Sequence, residues 1–191
     1  MTDQHNVAAD GQGVTSEEET IRRSVSDPAA FQPLYVAYFK RIFLFVFHRV
    51  GEKELAADIT QQVFLNALSN IHKYQFRGLP FSSWLFRIAV NQCTDFFRRN
   101  KKMRTVVLED PNVRELYEDL TEEHTWAEWE RKLPGVLEKL SDKDLQLIEL
   151  RYFEQRPFKE VSEILGLSET NAKTRAYRIL QKMKKIFLEQ K

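Results

Sequence analysis

A chain of 191 residues lies between one ordinary domain and two small ones, and its 42% hydrophobic content, with 14 Phe, 6 Tyr and 3 Trp, supplies enough apolar side chain for a core. Glycine and proline number only 6 each, which disfavours disorder over most of the length and turn-rich all-β folds. The formal charge of +1 is silent about nucleic acid, so its distribution must be read instead, and the single Cys93 excludes an internal disulfide and suits a reducing cytoplasm.

Residues 1–25 carry the run Glu17-Glu18-Glu19 and no apolar period, and are expected to be a disordered tail. They lack the basic-then-apolar order of a signal peptide. No unbroken apolar run approaches the roughly 20 residues that span a bilayer, so a cytoplasmic protein is expected. Order is expected from Ser26-Asp27-Pro28, a cap followed by a proline suited to the first helical turn. From Phe31 to Val50 the chain is dense in large apolar residues, which predicts one bent or two consecutive buried helices closed by Gly51.

A further helix is predicted from Glu52 to Ser69. Leu55, Ile59, Val63 and Ala67 recur every four residues on one side, while Asp58, Gln61 and Gln62 gather on another. Asn70 to Pro80 reads as a loop rich in aromatic and basic residues, and a long helix follows from Ser82 to Met103. At 100° per residue, Leu85, Ile88, Ala89, Cys93, Phe96 and Met103 share one side of it. Arg87, Asn91, Thr94, Arg98, Lys101 and Lys102 share the other, a basic stripe with Asp95 at its edge. Such a face attracts phosphates without regard to sequence. Tyr74, Phe76, Phe81 and Trp84 are of the type that stacks on unpaired bases, although core packing explains any one of them as well.

Charge then reverses. Between Glu109 and Glu130 stand nine acids and one base, Arg114. Such a block suits a flexible acidic linker, placed at 105–125, between a domain at 26–104 and another at 126–191. Ala127 to Leu140 is periodic, with Pro134 expected to bend or break it. Ser141 to Asp144 resembles a capping box with Asp in place of Glu, opening a helix through Leu150 to Phe153.

The strongest local signal is a helix–turn–helix from Pro157 to Lys182. Phe158, Val161, Ile164 and Leu165 face inward on its first helix, Gly166 permits the turn, Leu167 pins it and Ser168 caps the second helix. On that helix Ala172, Ala176, Ile179, Met183 and Ile186 form the buried stripe. Thr170, Lys173, Thr174, Tyr177, Arg178 and Gln181 face outward, and residues 169–191 hold seven bases against two acids. Donors for base edges beside cations for phosphates are what a recognition helix needs. An ordinary surface helix is the plainer reading, and the tight Gly-Leu-Ser turn argues against it. His5, His48, His72 and His124 are scattered and without partners at ligand spacing, which argues against a metal site. No phosphate loop or nucleophile–base motif occurs, so neither an enzyme nor a cofactor is expected, and Cys93 reads as a packed thiol.

Two runs carry a resemblance. Asp58 to Phe64, with Pro80 to Arg99, resembles region 2 of the extracytoplasmic-function (ECF) sigma factors, the smallest members of the sigma-70 family of bacterial RNA polymerase specificity subunits. Leu147 to Glu154, with Val161 to Ser168, resembles their region 4. The likeness covers about residues 26–104 and 126–188. It implies an all-α chain of two small helical domains whose Asp58, Gln61 and Gln62 dock on the β′ clamp helices of core polymerase. The family usually has Gln-Glu where this chain has Gln61-Gln62. The likeness further implies that the Tyr74–Pro80 loop, with Phe76 and Trp84, captures a base flipped from the −10 element. Arg87, Asn91, Asp95, Arg98 and Arg99 would line the −10 helix. Lys173, Thr174, Arg175, Tyr177 and Arg178 would enter the −35 major groove, with region 4 on the β flap. Promoter DNA, core polymerase and an anti-sigma factor, often membrane-anchored in the family, are the partners so implied, with no small-molecule substrate. Two rivals stand beside this reading: a stand-alone helix–turn–helix regulator, and a helical interaction protein whose basic faces are merely solvated.

Overall fold

The computed structural model describes residues 10–100, 113–120 and 126–189, and among these every regular element is helical. Helices α1 (Asp10–Ser26), α2 (Gln32–Val50), α3 (Lys53–Asn70) and α4 (Phe81–Asn100) make the N-terminal half. Helices α5 (Val113–Leu120), α6 (Trp126–Glu138), α7 (Asp142–Ile148), α8 (Phe158–Leu165) and α9 (Glu169–Glu189) make the C-terminal half.

In the N-terminal half α2, α3 and α4 pack pairwise. Ile42, Val46, Ala56, Val63, Ala67, Leu85, Phe86, Ala89 and Cys93 lose essentially all contact with solvent. The entry to α2 is built as its residues dictate: the Asp27 carboxylate accepts from the Ala29 amide at 3.0 Å, and Pro28 opens a short 3-10 turn. The exit is equally local. Gly51 takes φ 72°, the left-handed region open to glycine, and its N–H donates to the Phe47 carbonyl at 2.8 Å.

Three expectations are corrected here. Pro28–Val50, helical throughout, does reach the length and mean hydropathy of a membrane span, although no unbroken apolar run suggested it. Its Leu34, Ile42, Phe45, Val46 and Val50 are buried, with Phe45 edge-on to Phe86 at 5.1 Å, while Val36 and Leu44 are exposed. Residues 10–25, expected to be part of a disordered tail, belong to α1. Ile21 and Ser24 are buried on it, and the Tyr38 hydroxyl donates to Glu17. Residues 1–9 of that expected tail lie outside the described residues.

The third correction concerns the acidic connector. Val113–Leu120 within it is helical, with Leu116 fully buried and Tyr117 edge-on to Trp129 at 5.4 Å. Its acids are used: Arg151 pairs with Glu115, and the Tyr152 hydroxyl donates to Asp119 at 2.8 Å. The rest of the expected linker, 105–112 and 121–125, lies outside the described residues.

Pro134 sits inside α6 without ending it. Ser141 caps α7 as its sequence predicts, accepting from the Asp144 amide at 3.3 Å. The helix expected to reach Phe153 changes character after Ile148, where Glu149–Phe153 winds as a π-turn closed by the Glu154 amide on the Glu149 carbonyl at 2.9 Å.

Candidate nucleic-acid and polymerase interface

The helix–turn–helix is made by α8, a three-residue turn and α9. Gly166, at φ 66°, donates its N–H to the α8 carbonyls, and the Leu167 N–H reaches back to the Ser162 carbonyl at 2.8 Å, the six-to-one bond of a Schellman turn. Ser168 Oγ accepts from the Asn171 amide at 3.2 Å and opens α9. Ala172, Ala176, Ile179, Met183 and Ile186 are buried, as the periodicity predicts. Thr170, Lys173, Thr174, Tyr177, Arg178 and Gln181 are exposed, with Tyr177 at 65%. Arg175 is different. Its guanidinium is turned to α7, donating to Asp144 at 2.8 and 3.1 Å. Burial alone would raise the Asp144 carboxyl, but Arg175 and Ser141 hold it below its ordinary range.

In the N-terminal half the aromatic loop folds onto the start of α4. Tyr74 lies edge-on to Phe81 at 5.2 Å and to Trp84 at 5.4 Å, and Phe76 projects with 54% of its surface exposed. Phe81 is fully buried, so among these four aromatics it belongs to the core. Tyr74 is pushed up to about 12 by burial, then by the negative charges of Glu17 and Glu18 on α1. Along α4, Arg87, Asn91, Arg98 and Arg99 are exposed, and Asp95 pairs with Arg98 at 2.9 Å. Lys101 and Lys102, assigned to the same stripe, lie outside the described residues. On α3, Asp58, Gln61 and Gln62 are exposed, and Asp58 and Gln62 share a hollow with Asp95 and Arg99 of α4. The faces assigned to polymerase and to the −10 strand are therefore neighbours.

The two halves are in contact, which the idea of two bodies joined by a flexible connector did not anticipate. Helix α8 packs on α4. Arg49 donates to Glu149 at 2.8 Å, both nearly buried, and the Arg156 guanidinium lies 4.4 Å over the Phe86 ring centroid while donating to Ser82 at 2.9 Å and Glu160 at 2.7 Å. Burial, then the charge of Arg41, lowers the Arg156 pKa. At the rim Glu163 of α8 stands 3.6 Å from Arg87 and 3.5 Å from Arg77. A cavity of about 160 Å³ lies there between the Tyr74 loop, Trp84, Arg87 and Glu163. Arg77 lay within the aromatic loop but was not singled out, and nothing in the local pattern of α8 marks Glu163.

Residues 34–103 match the family model of Sigma-70 region 2, and residues 130–183 match that of Sigma-70, region 4. The ECF RNA polymerase sigma factor SigM of Bacillus subtilis (strain 168) is 28% identical over 155 residues, covering 81% of this chain and 93% of its own. RNA polymerase sigma factor SigV of the same organism is 30% identical over 138 residues, covering 72% of this chain and 79% of its own. The chain belongs to the ECF sigma factors of the sigma-70 family. A solved structure, the sigma factor RpoE in complex with the anti-sigma factor NepR from Bartonella quintana, shares the fold with a TM-score of 0.57 at 15% identity, covering 84% of this chain and 97% of its own.

Region 2 of this sigma factor thus spans α2 to α4, and region 4 spans α6 to α9. Cys93, on the inner side of region 2, is pushed up to about 11 by burial and is a packed thiol.

Proposed function

We propose that this RNA polymerase sigma factor brings core polymerase to a two-part promoter through three faces. Asp58, Gln61 and Gln62 on α3 meet the β′ clamp helices. The Tyr74 loop with Phe76 and Trp84, and Arg87, Asn91, Asp95, Arg98 and Arg99 on α4, hold the melted −10 strand. Lys173, Thr174, Tyr177 and Arg178 on α9 read the −35 duplex, with region 4 seated on the β flap. Arg175, first assigned with them, serves there by holding α9 on α7. The chain performs no covalent chemistry of its own and works in the cytoplasm.

The observation that carries this reading is the outward row Lys173, Thr174, Tyr177 and Arg178 behind a tightly closed turn, paired with a second cationic face on α4. One face offers donors to base edges in a groove; the other offers cations and an exposed aromatic to an unpaired strand. Because RpoE of Bartonella quintana was solved with an anti-sigma factor, we include such a protein among this chain's partners.

Run-off transcription with purified core polymerase tests the proposal. The wild-type chain yields transcripts from its cognate promoter, and Asp58→Lys loses both transcripts and co-elution with core polymerase. A chain that neither co-elutes nor supports transcripts removes the reading, and an Asp58→Lys variant with unchanged co-elution removes α3 from the interface.

A further inference from the structure

Helix α1 lies ahead of the residues that match Sigma-70 region 2, which begin at 34, and it carries none of the residues placed on the three proposed faces. It nevertheless packs on the 3-10 turn Ile71–Lys73, which leads directly into Tyr74; Ile21 of α1 and Ile71 of the turn are both buried. Glu17 joins α1 to α2. Its carboxylate accepts from the Tyr38 hydroxyl, a charge-assisted bond between two partly buried side chains.

Behind that bond stands a row of rings. Tyr38 tilts against Phe81 with centroids 5.9 Å apart, and Phe81 meets Tyr74 edge-on at 5.2 Å and Trp84 at 5.5 Å. Tyr74 and Trp84 close the triangle at 5.4 Å. Phe81 is fully buried and touches no strand itself; it sets the two partly exposed rings that can. Packing against one neighbour leaves a phenol ring a range of tilts, and a hydroxyl tied to a carboxylate narrows that range. Densely packed interiors pass a displacement on, so a shift of Tyr38 reaches Tyr74 and Trp84 through Phe81. Stacking on an unpaired base gains from rings already held in place, because the cost of ordering them then falls outside the binding step. The charge of Glu17 works the other way. After burial it is the next cause that raises the Tyr74 pKa, and beside a strand it would repel phosphate. Its bond to Tyr38 gives this carboxylate a purpose that its charge does not.

We infer that Glu17 is a positioning residue for the −10 surface: through Tyr38 and Phe81 it fixes the tilt of Tyr74 and Trp84, which makes α1 part of the device that holds an unpaired strand. This role rests on the −10 reading of the Tyr74 loop and Trp84.

The test titrates holoenzyme, reconstituted from the full chain and core polymerase, against fluorescein-labelled oligothymidine of about 12 nucleotides, with core polymerase alone as background. Glu17→Ala and Tyr38→Phe each weaken binding on the order of tenfold, the scale of a lost bond to a charged group, and the double variant is no weaker than either. Glu17→Gln loses the charge but keeps an acceptor oxygen for the Tyr38 hydroxyl, and binds like wild type. Glu19→Ala, at an exposed acid of the same helix, also binds like wild type. Co-elution with core polymerase is unchanged throughout. Equal affinities for wild type, Glu17→Ala and Tyr38→Phe overturn the positioning role, even where the melting temperature falls, because Glu17 then only supports the fold. Additive losses in the double variant, a Glu17→Gln as weak as Glu17→Ala, or an equal loss in Glu19→Ala overturn it as well. Should Glu17→Ala lose helical circular dichroism, Tyr38→Phe, which keeps the ring and the charge on α1, decides the matter. A wild-type holoenzyme that binds oligothymidine no better than core polymerase overturns the −10 reading instead, and the positioning role with it.

Discussion

Arg175 and Arg178 lie three residues apart on α9 and differ in what they face. Arg178 is exposed beside Tyr177, whereas Arg175 spans to α7 and is held by Asp144. Arg178→Ala is therefore expected to weaken binding of the −35 duplex by about tenfold, within the ~1–3 kcal/mol of a base-reading arginine, while the melting temperature stays near wild type. Arg175→Ala is expected to lower the melting temperature instead. Its effect carries a pH signature. Asp144 has its folded pKa held below the unfolded value, so its stabilisation is present above the ordinary carboxylate range and is lost as pH falls through the folded pKa. Thermal melts should show the gap between wild type and Arg175→Ala closing as pH drops below about 4; a gap that persists there would separate Arg175 from Asp144. The outward position of Arg178 was legible from its spacing to Ala172 and Ile179. The inward pull on Arg175 was not, because Asp144 lies 31 residues earlier and meets it only in the folded chain.

At the scale of elements, the segments best predicted are those whose signals are local. Asp27-Pro28, Gly51, Ser141 and Gly166 each act within a few residues, and each ends or begins a helix where its chemistry requires. Charge misled where it outweighed a short apolar stripe. In the acidic block, Leu116 and Tyr117 are enough to dock α5 on region 4, and the surrounding carboxylates find Arg151 and Tyr152 rather than water alone. In α1, Ile21 and Glu17 do the same beside the Glu17-Glu18-Glu19 run. Leu116→Ala is accordingly expected to destabilise region 4 by about 2–5 kcal/mol, measured by urea denaturation. A change within a few tenths of a kcal/mol would return that segment to the role of a passive connector.

At the scale of the whole molecule, the all-α class, the two halves and the sigma family were legible from two motifs in the right order. Their contact was not. Arg49 lies in a strongly apolar helix and Glu149, Arg156 and Glu163 look like solvated charges, so only the fold reveals that they meet. That contact sharpens the functional argument. Two modest faces proposed to meet DNA, Arg98 with 72% of its side chain exposed on one half and Arg178 exposed on the other, are expected to become useful together only when another body sets their separation.

The most direct measurement is the affinity of the chain for a promoter duplex that it transcribes, taken with and without core polymerase under the same salt. The account predicts weak, strongly salt-dependent binding by the chain alone and binding tighter by about 100-fold or more once core polymerase is present. Equally tight, sequence-specific binding by the free chain would contradict it, and would mean that the helix–turn–helix reads DNA without help from a partner.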